Sequence, residues 1–155
     1  QADWGFPNSC RNYGWRDSIL MKWKFPISPV AASRPRVSKW GSYYTGTYKE
    51  FREQAVPVIE KVLEGYEPTD KNLRVYVQLY VDKPKSSKLD YPRPDIDNYL
   101  KSVFDLMNGR LWTDDRQIIF VEATKEWAKS TGYFIVEIQD VWLEAYWNNV
   151  QQRRQ

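Results

Sequence analysis

The sequence predicts a small single-domain α+β fold with a mixed or antiparallel sheet and two main helices. Three observations carry this expectation. Two windows repeat apolar residues at helical spacing, other windows carry β-branched and aromatic residues, and their order along the chain is β, α, β, α, β, β. At 155 residues the chain suits one domain and is long enough to bury a real hydrophobic core.

The first strand is expected over 22–28, ending near Pro26. Residues 29–45 read as a loop, held extended at Arg34 by Pro35. Over 47–64, Tyr48, Phe51, Ala55, Val58 and Val62 form one apolar stripe of a helix. Gly65 is its expected stop, and Pro57 should kink or split it. The run LRVYVQLYVD at 73–82 is a strong strand. Residues 83–94 (KPKSSKLDYPRP) have loop chemistry throughout. A second helix is expected over 97–108, with Leu100, Val103, Phe104 and Met107 as its inner face and Gly109 as its end. Two further strands, 116–127 and 133–142, should form an antiparallel hairpin across 128–132. Residues 1–20 read as an extension upstream of a natural start at Met21. The main domain of the chain then spans 21–142, and residues 143–155 form a polar tail.

Composition removes several kinds of chemistry. The chain has no His and one Cys, Cys10. Ser-His-Asp and Cys-His catalysis, His-based zinc sites, multi-Cys zinc sites and an internal disulfide are therefore excluded. A lone thiol fits a reducing cytoplasm. No apolar run approaches the ~20 residues of a membrane helix. The net charge of +3 is compatible with a nucleic-acid partner. Any catalysis must rest on carboxylates, Lys, Tyr, Ser or Thr, with a metal as the natural assistant.

Such a set stands in one segment: Pro94-Asp95-Ile96-Asp97-Asn98, then Lys101, then Asp114-Asp115. Asp95 and Asp97 are two apart, so in an extended segment they point to the same side. Lys101 lies one helical turn past Asp97, and Asp105 continues the row. Carboxylates gathered in one place repel each other, and a divalent cation relieves this. Oxygen-only ligands suit Mg²⁺ or Mn²⁺, which support phosphodiester hydrolysis. Each residue alone also has an ordinary role. Asp97 suits a helix N-cap, Asp97 and Lys101 suit a surface ion pair, and Asp114-Asp115 suits a turn.

The run RPDIDNYLKSVFDLMNGRLWTDDRQI resembles the signature of the RusA family of crossover-junction endodeoxyribonucleases: D-x-D-N, a Lys four residues after the second Asp, then an aromatic-x-D-D. The upstream run ASRPRVSKWGSYY is similar to the family's early basic loop. The likeness extends over about residues 22–140. It implies a RusA-like α+β fold and a homodimer that resolves four-way (Holliday) junctions by paired symmetric nicks. It also implies that Asp95, Asp97 and Asp115 bind Mg²⁺ (Mn²⁺ being the alternative), that Lys101 is required, and that Asn98 and Asp114 support the site. Such proteins are common in bacterial cells and their phages and prophages.

Two loops are dense in cations that suit phosphate. Lys83, Lys85, Lys88 and Arg93 run up to Asp95. Arg34, Arg36 and Lys39 lie beside Trp40, Tyr43 and Tyr44, a mixture that suits bases unstacked at an opened junction centre. Trp127, Tyr133 and Trp142 are expected in the core or a dimer interface. The alternatives are a nuclease acting on flaps or forks, and a junction-binding protein that does not cut.

Overall fold

The computed structural model describes residues 20–43 and 46–141. Its elements are β1 (Leu20–Phe25), β2 (Arg36–Ser38), β3 (Gly41–Tyr43), α1 (Thr47–Val62), β4 (Leu73–Val81), α2 (Ile96–Met107), a 3₁₀ turn at Asp115–Gln117, β5 (Ile118–Trp127) and β6 (Tyr133–Asp140). Four strands make a mixed sheet in the order β1-β6-β4-β5, and β2 and β3 make a separate ribbon. The expected α+β fold with two main helices is therefore what the chain adopts. The tail, Trp142 and residues 1–19 lie outside the described residues. Leu20, assigned to the extension, instead opens β1.

The core forms on one face of this sheet. Alternate residues of β4 (Leu73, Val75, Val77, Leu79 and Val81) point to the same side and are buried with Phe25, Phe134, Val136 and Ile138. From α1, Tyr48, Phe51, Ala55 and Ile59 pack against them; from α2, Tyr99, Val103, Leu106 and Met107. Both helices thus cover the same face. The other face carries Arg74, Tyr76, Gln78 and Tyr80 of β4, with the Arg74 guanidinium 4.3 Å over the Phe120 ring.

Four local expectations need correction. The 29–45 loop contains the β2–β3 ribbon, whose strands are only three residues long and carry no alternating apolar signal. Helix α1 continues unbroken through Pro57. Pro57 is exposed, so the carbonyl it cannot serve faces water and the packed stripe beneath holds the helix together. Strands β5 and β6 do not pair, because β4 lies between them, parallel to β5 and antiparallel to β6. The 128–132 connection instead steps over the end of β4, where the Ala128 N–H donates to the Val81 carbonyl at 2.8 Å. It runs so close that a side chain at Gly132 would meet Ser28 at 2.5 Å. Finally, the buried face of α2 is Tyr99, Ser102, Val103, Leu106 and Met107, while Leu100 and Phe104 are half-buried.

Candidate active site

Helix α2 is the crossover between the parallel strands β4 and β5, and the motif residues lie along it. Asp95 is its N-cap, with extended backbone (φ −64°, ψ 143°). Its carbonyl accepts from the N–H groups of Asn98 (3.1 Å) and Tyr99 (3.3 Å). Its carboxylate makes no capping bond. The cap is thus made by backbone alone, and the exposed Asp95 side chain is left for another partner. Asp97 already lies inside the helix, in its first turn. The pair is therefore not in one extended segment, and the i, i+2 argument for a shared side does not apply. Asp97 instead sits where unbonded helix N–H groups favour a negative charge, and its Oδ1 accepts from the Asn98 N–H at 2.9 Å.

Asp97, Lys101 and Phe104 follow at helical spacing and form one row along α2. The Lys101 ammonium reaches both Asp105 oxygens at 3.3 Å. Asp115 lies beyond the far end of α2 and is linked to the helix through Trp112. The Trp112 ring is fully buried and meets the Phe104 ring edge-on, 5.6 Å between centroids. Its indole N–H donates to Asp115 Oδ1 at 2.6 Å. One oxygen of a half-buried carboxylate is thereby fixed.

Asp114 is the cap of the 3₁₀ turn: its side chain accepts from the Arg116 N–H at 3.0 Å. Its partner in that cap is Gln117, which the sequence reading did not single out. The buried Gln117 amide accepts from the Asp114 N–H (2.7 Å) and the Thr113 hydroxyl, and donates to the Thr69 (2.8 Å) and Lys71 (2.9 Å) carbonyls. It ties the Asp114-Asp115 turn to the segment leading into β4. The D-D-x-Q spacing is a capping-box pattern and was the available signal.

The structure therefore places Asp95 and Asp97 at the N-terminus of α2 and Asp115 in the turn that follows the helix, without closing them into a cage. Among the described residues, no three acidic side chains lie close enough to hold a metal ion. Their chemistry nevertheless fits a hard cation. All are oxygen donors, and none takes part in a salt bridge among the described residues. Mg²⁺ commonly takes one or two carboxylates, with waters and substrate phosphate completing its shell.

The basic loop 83–94 is fastened to this site by two β5 side chains. Lys125 donates to the carbonyls of Pro92 (2.8 Å) and Pro94 (2.6 Å), immediately before Asp95. The Trp127 indole donates to the Leu89 carbonyl at 2.9 Å. Trp127 is thus a half-buried anchor, while Tyr133 stacks on Tyr80 at 4.4 Å. Beside the loop opens a cleft of about 780 Å³, lined by Val30, Lys88, Leu89, Arg93, Tyr99 and Trp127 among others. Burial raises the Tyr99 hydroxyl pKa above its usual value, so this side chain stays neutral. Lys83, Lys85, Lys88, Arg93, Arg34, Arg36 and Lys39 are all exposed, and none is in a salt bridge among the described residues.

The Lys125 contacts give a direct expectation. Lys125→Met leaves two carbonyls without their cation, and bonds to a charged donor are worth about 1.5–3 kcal/mol. Limited proteolysis should nick the variant faster within 83–94, and junction cleavage should fall with it. Wild-type digestion kinetics would show that the loop is held by other contacts.

The family model described as Endodeoxyribonuclease RusA matches residues 26–139. The chain belongs to the RusA family. No curated protein matches it. The match runs from just after β1 into β6 and includes the whole D-x-D-N to D-D segment. As a RusA endodeoxyribonuclease the chain is a hydrolase acting on DNA, in a family of Holliday-junction resolvases that bind branched DNA. Nucleases of this kind generally use a divalent metal. No helix among the described residues is long and apolar enough to cross a membrane.

Proposed function

We propose that this RusA protein resolves four-way DNA junctions as a homodimer, by paired symmetric nicks that depend on Mg²⁺, with Mn²⁺ as a substitute. The observation that carries the reading is the fastening of the cationic 83–94 loop to the N-terminus of α2. Lys125 holds the carbonyls of Pro92 and Pro94, on either side of Arg93 and immediately before Asp95. Cations that collect phosphates and carboxylates that need a cation are thereby set side by side. A carboxylate pair at a DNA surface would only repel phosphate unless a metal joined them.

In this reading Asp95, Asp97 and Asp115 hold the ion. When bound, Mg²⁺ supplies Lewis acidity toward the phosphate oxygens and acidifies a water. Lys101 stabilises the charge that develops on the phosphate. Asn98 and Asp114 support the first turn of α2 and the 3₁₀ turn, respectively. Lys83, Lys85, Lys88 and Arg93, with Arg34, Arg36 and Lys39, bind the DNA arms. The nuclease domain covers 21–142. The setting is the cytoplasm of a bacterial cell, whether the gene is cellular or viral.

The test is cleavage of a four-way junction beside a flap and a linear duplex, with Mg²⁺ and with EDTA. Paired nicks in the junction alone, absent in EDTA, are the expected result. Equal cutting of flaps keeps the chemistry and moves the substrate. Junction binding without cutting in either metal overturns the enzymatic reading.

The loop cations have a separate signature. Each neutralised phosphate contributes about 0.9 to the slope of log affinity against log salt. Replacing Lys83, Lys85 and Lys88 by Gln together should flatten that slope by about 2–3. An unchanged slope removes this loop from the DNA interface.

A further inference from the structure

The β2–β3 ribbon presents a tryptophan to solvent. Its turn is the two-residue Lys39-Trp40, and Trp40 is 86% exposed and Val37 81% exposed. Large apolar side chains so exposed at one tip mark a site of interaction. The tip is also ordered. The Ser38 hydroxyl accepts from the Trp40 N–H at 3.1 Å and donates to the Gly41 carbonyl at 3.3 Å. Gly41 takes φ +119°, which L side chains rarely adopt. The indole is thus carried on a braced turn.

Its surroundings say what it meets. The Lys39 ammonium lies 5.0 Å over the Trp40 ring, and Arg34 and Arg36 flank the base of the ribbon, exposed and outside any salt bridge among the described residues. An aromatic face ringed by cations complements a base between phosphates. It does not complement a dry protein interface, where charges are depleted. The ribbon is moreover tied to the active site: the Ala32 N–H donates to the Asn98 carbonyl in the first turn of α2, at 2.9 Å. The eight residues from Ala32 to Trp40 reach at most ~29 Å. The tip is therefore held at a distance from Asp97 on the scale of one ~34 Å turn of duplex.

The geometry points to Trp40 as a wedge that enters the opened branch point and stacks on a base within about one duplex turn of the phosphate to be cut. This rests on the junction-nuclease reading and adds a positioning residue to it. The wedge holds the branch open, and the Ala32–Asn98 bond sets the distance between branch and carboxylates. Its chemistry is that of apolar side chains inserted at base steps, which unstack them.

The experiment uses the full chain and a four-way junction with 2-aminopurine at the branch, held uncut in EDTA. Wild-type protein should change the 2-aminopurine emission on binding. Trp40→Ala should lose most of that change, bind roughly tenfold more weakly, as for one lost base–aromatic stack, and scatter its nicks over more positions. Trp40→Phe should restore much of each. If Trp40→Ala retains the full emission change and the wild-type nick positions, the wedge is wrong and the resolvase reading stands. If Trp40→Ala shifts the oligomeric mass in sedimentation, with emission unchanged, the indole belongs to a second copy and the wedge is again wrong. If the wild type binds no junction at all, both readings fall together.

Discussion

Asp97→Asn is expected to abolish junction cleavage while leaving junction binding intact. The substitution keeps the size of the side chain and its acceptor for the Asn98 N–H, 2.9 Å in the wild type, so α2 should start as before. What it removes is one negative charge in the first turn of the helix. A metal held by few protein carboxylates loses much of its affinity with one of them, and the charge stabilisation it lends to a phosphodiester is worth several kcal/mol. A loss of at least about a hundredfold in cleavage rate follows, a scale that matches removal of one preorganised electrostatic group. Binding should strengthen slightly, since a carboxylate that repels phosphate has gone. The measurement is single-turnover nicking at saturating protein, with binding by gel shift on the same junction. Cleavage within about threefold of wild type would remove Asp97 from the metal site. Weak cleavage that recovers fully at high Mg²⁺ would place its role in ion affinity alone.

The reach of sequence reasoning differs between the fold and the site, for physical reasons. The β4 run LRVYVQLYV was legible because five of its nine residues are Val or Tyr, which favour strands. The same run also contained the answer to the error over β5 and β6. It is buried along nearly its whole length on both faces, which is the mark of a central strand with two neighbours. A short connection suggested a hairpin, but a five-residue link is equally able to step over one strand end. The β2–β3 ribbon was hidden because each of its strands is three residues long and carries one large apolar or aromatic residue, so alternation could not show. The inner face of α2 was set one position off because Tyr99 and Ser102 are poor apolar markers, yet tertiary packing buries both.

The motif residues were found by their spacing and family likeness, and the structure bears on what spacing alone left open. Asp95 occupies a cap position but does not spend its carboxylate there. Asp115 does not merely make a turn, because the capping falls to Asp114 and Gln117. The side chains that position the motif were not legible. Gln117 and Lys125 are single residues, each far in sequence from at least one partner, and no local pattern announces a bond between positions 117 and 69 or 125 and 92.

Trp112→Ala is expected to cost the largest amount of stability of any single change near the site, about 3–5 kcal/mol. The side chain is fully buried, and its removal leaves a large cavity between Phe104 and the turn that follows α2. Domains of this kind have only about 5–15 kcal/mol in all, so the melting temperature should fall by roughly 10 °C or more. That loss alone would lower activity and would say little about the role of the indole. Trp112→Phe separates the two effects. It keeps a ring against Phe104 but removes the N–H that holds Asp115 Oδ1 at 2.6 Å. Its stability cost should be near that of a modest cavity, about 1–3 kcal/mol, since Asp115 is half-buried and water can replace the lost donor. Its cleavage should fall at least tenfold at limiting Mg²⁺ and recover in part as Mg²⁺ rises, because a carboxylate released from its donor still binds the ion but no longer waits in place. Asp115→Asn should instead remain inactive at any Mg²⁺ concentration with an unchanged melting temperature. If Trp112→Phe cuts normally at limiting Mg²⁺, the indole only fills space, and the 2.6 Å bond contributes to the fold without serving the site.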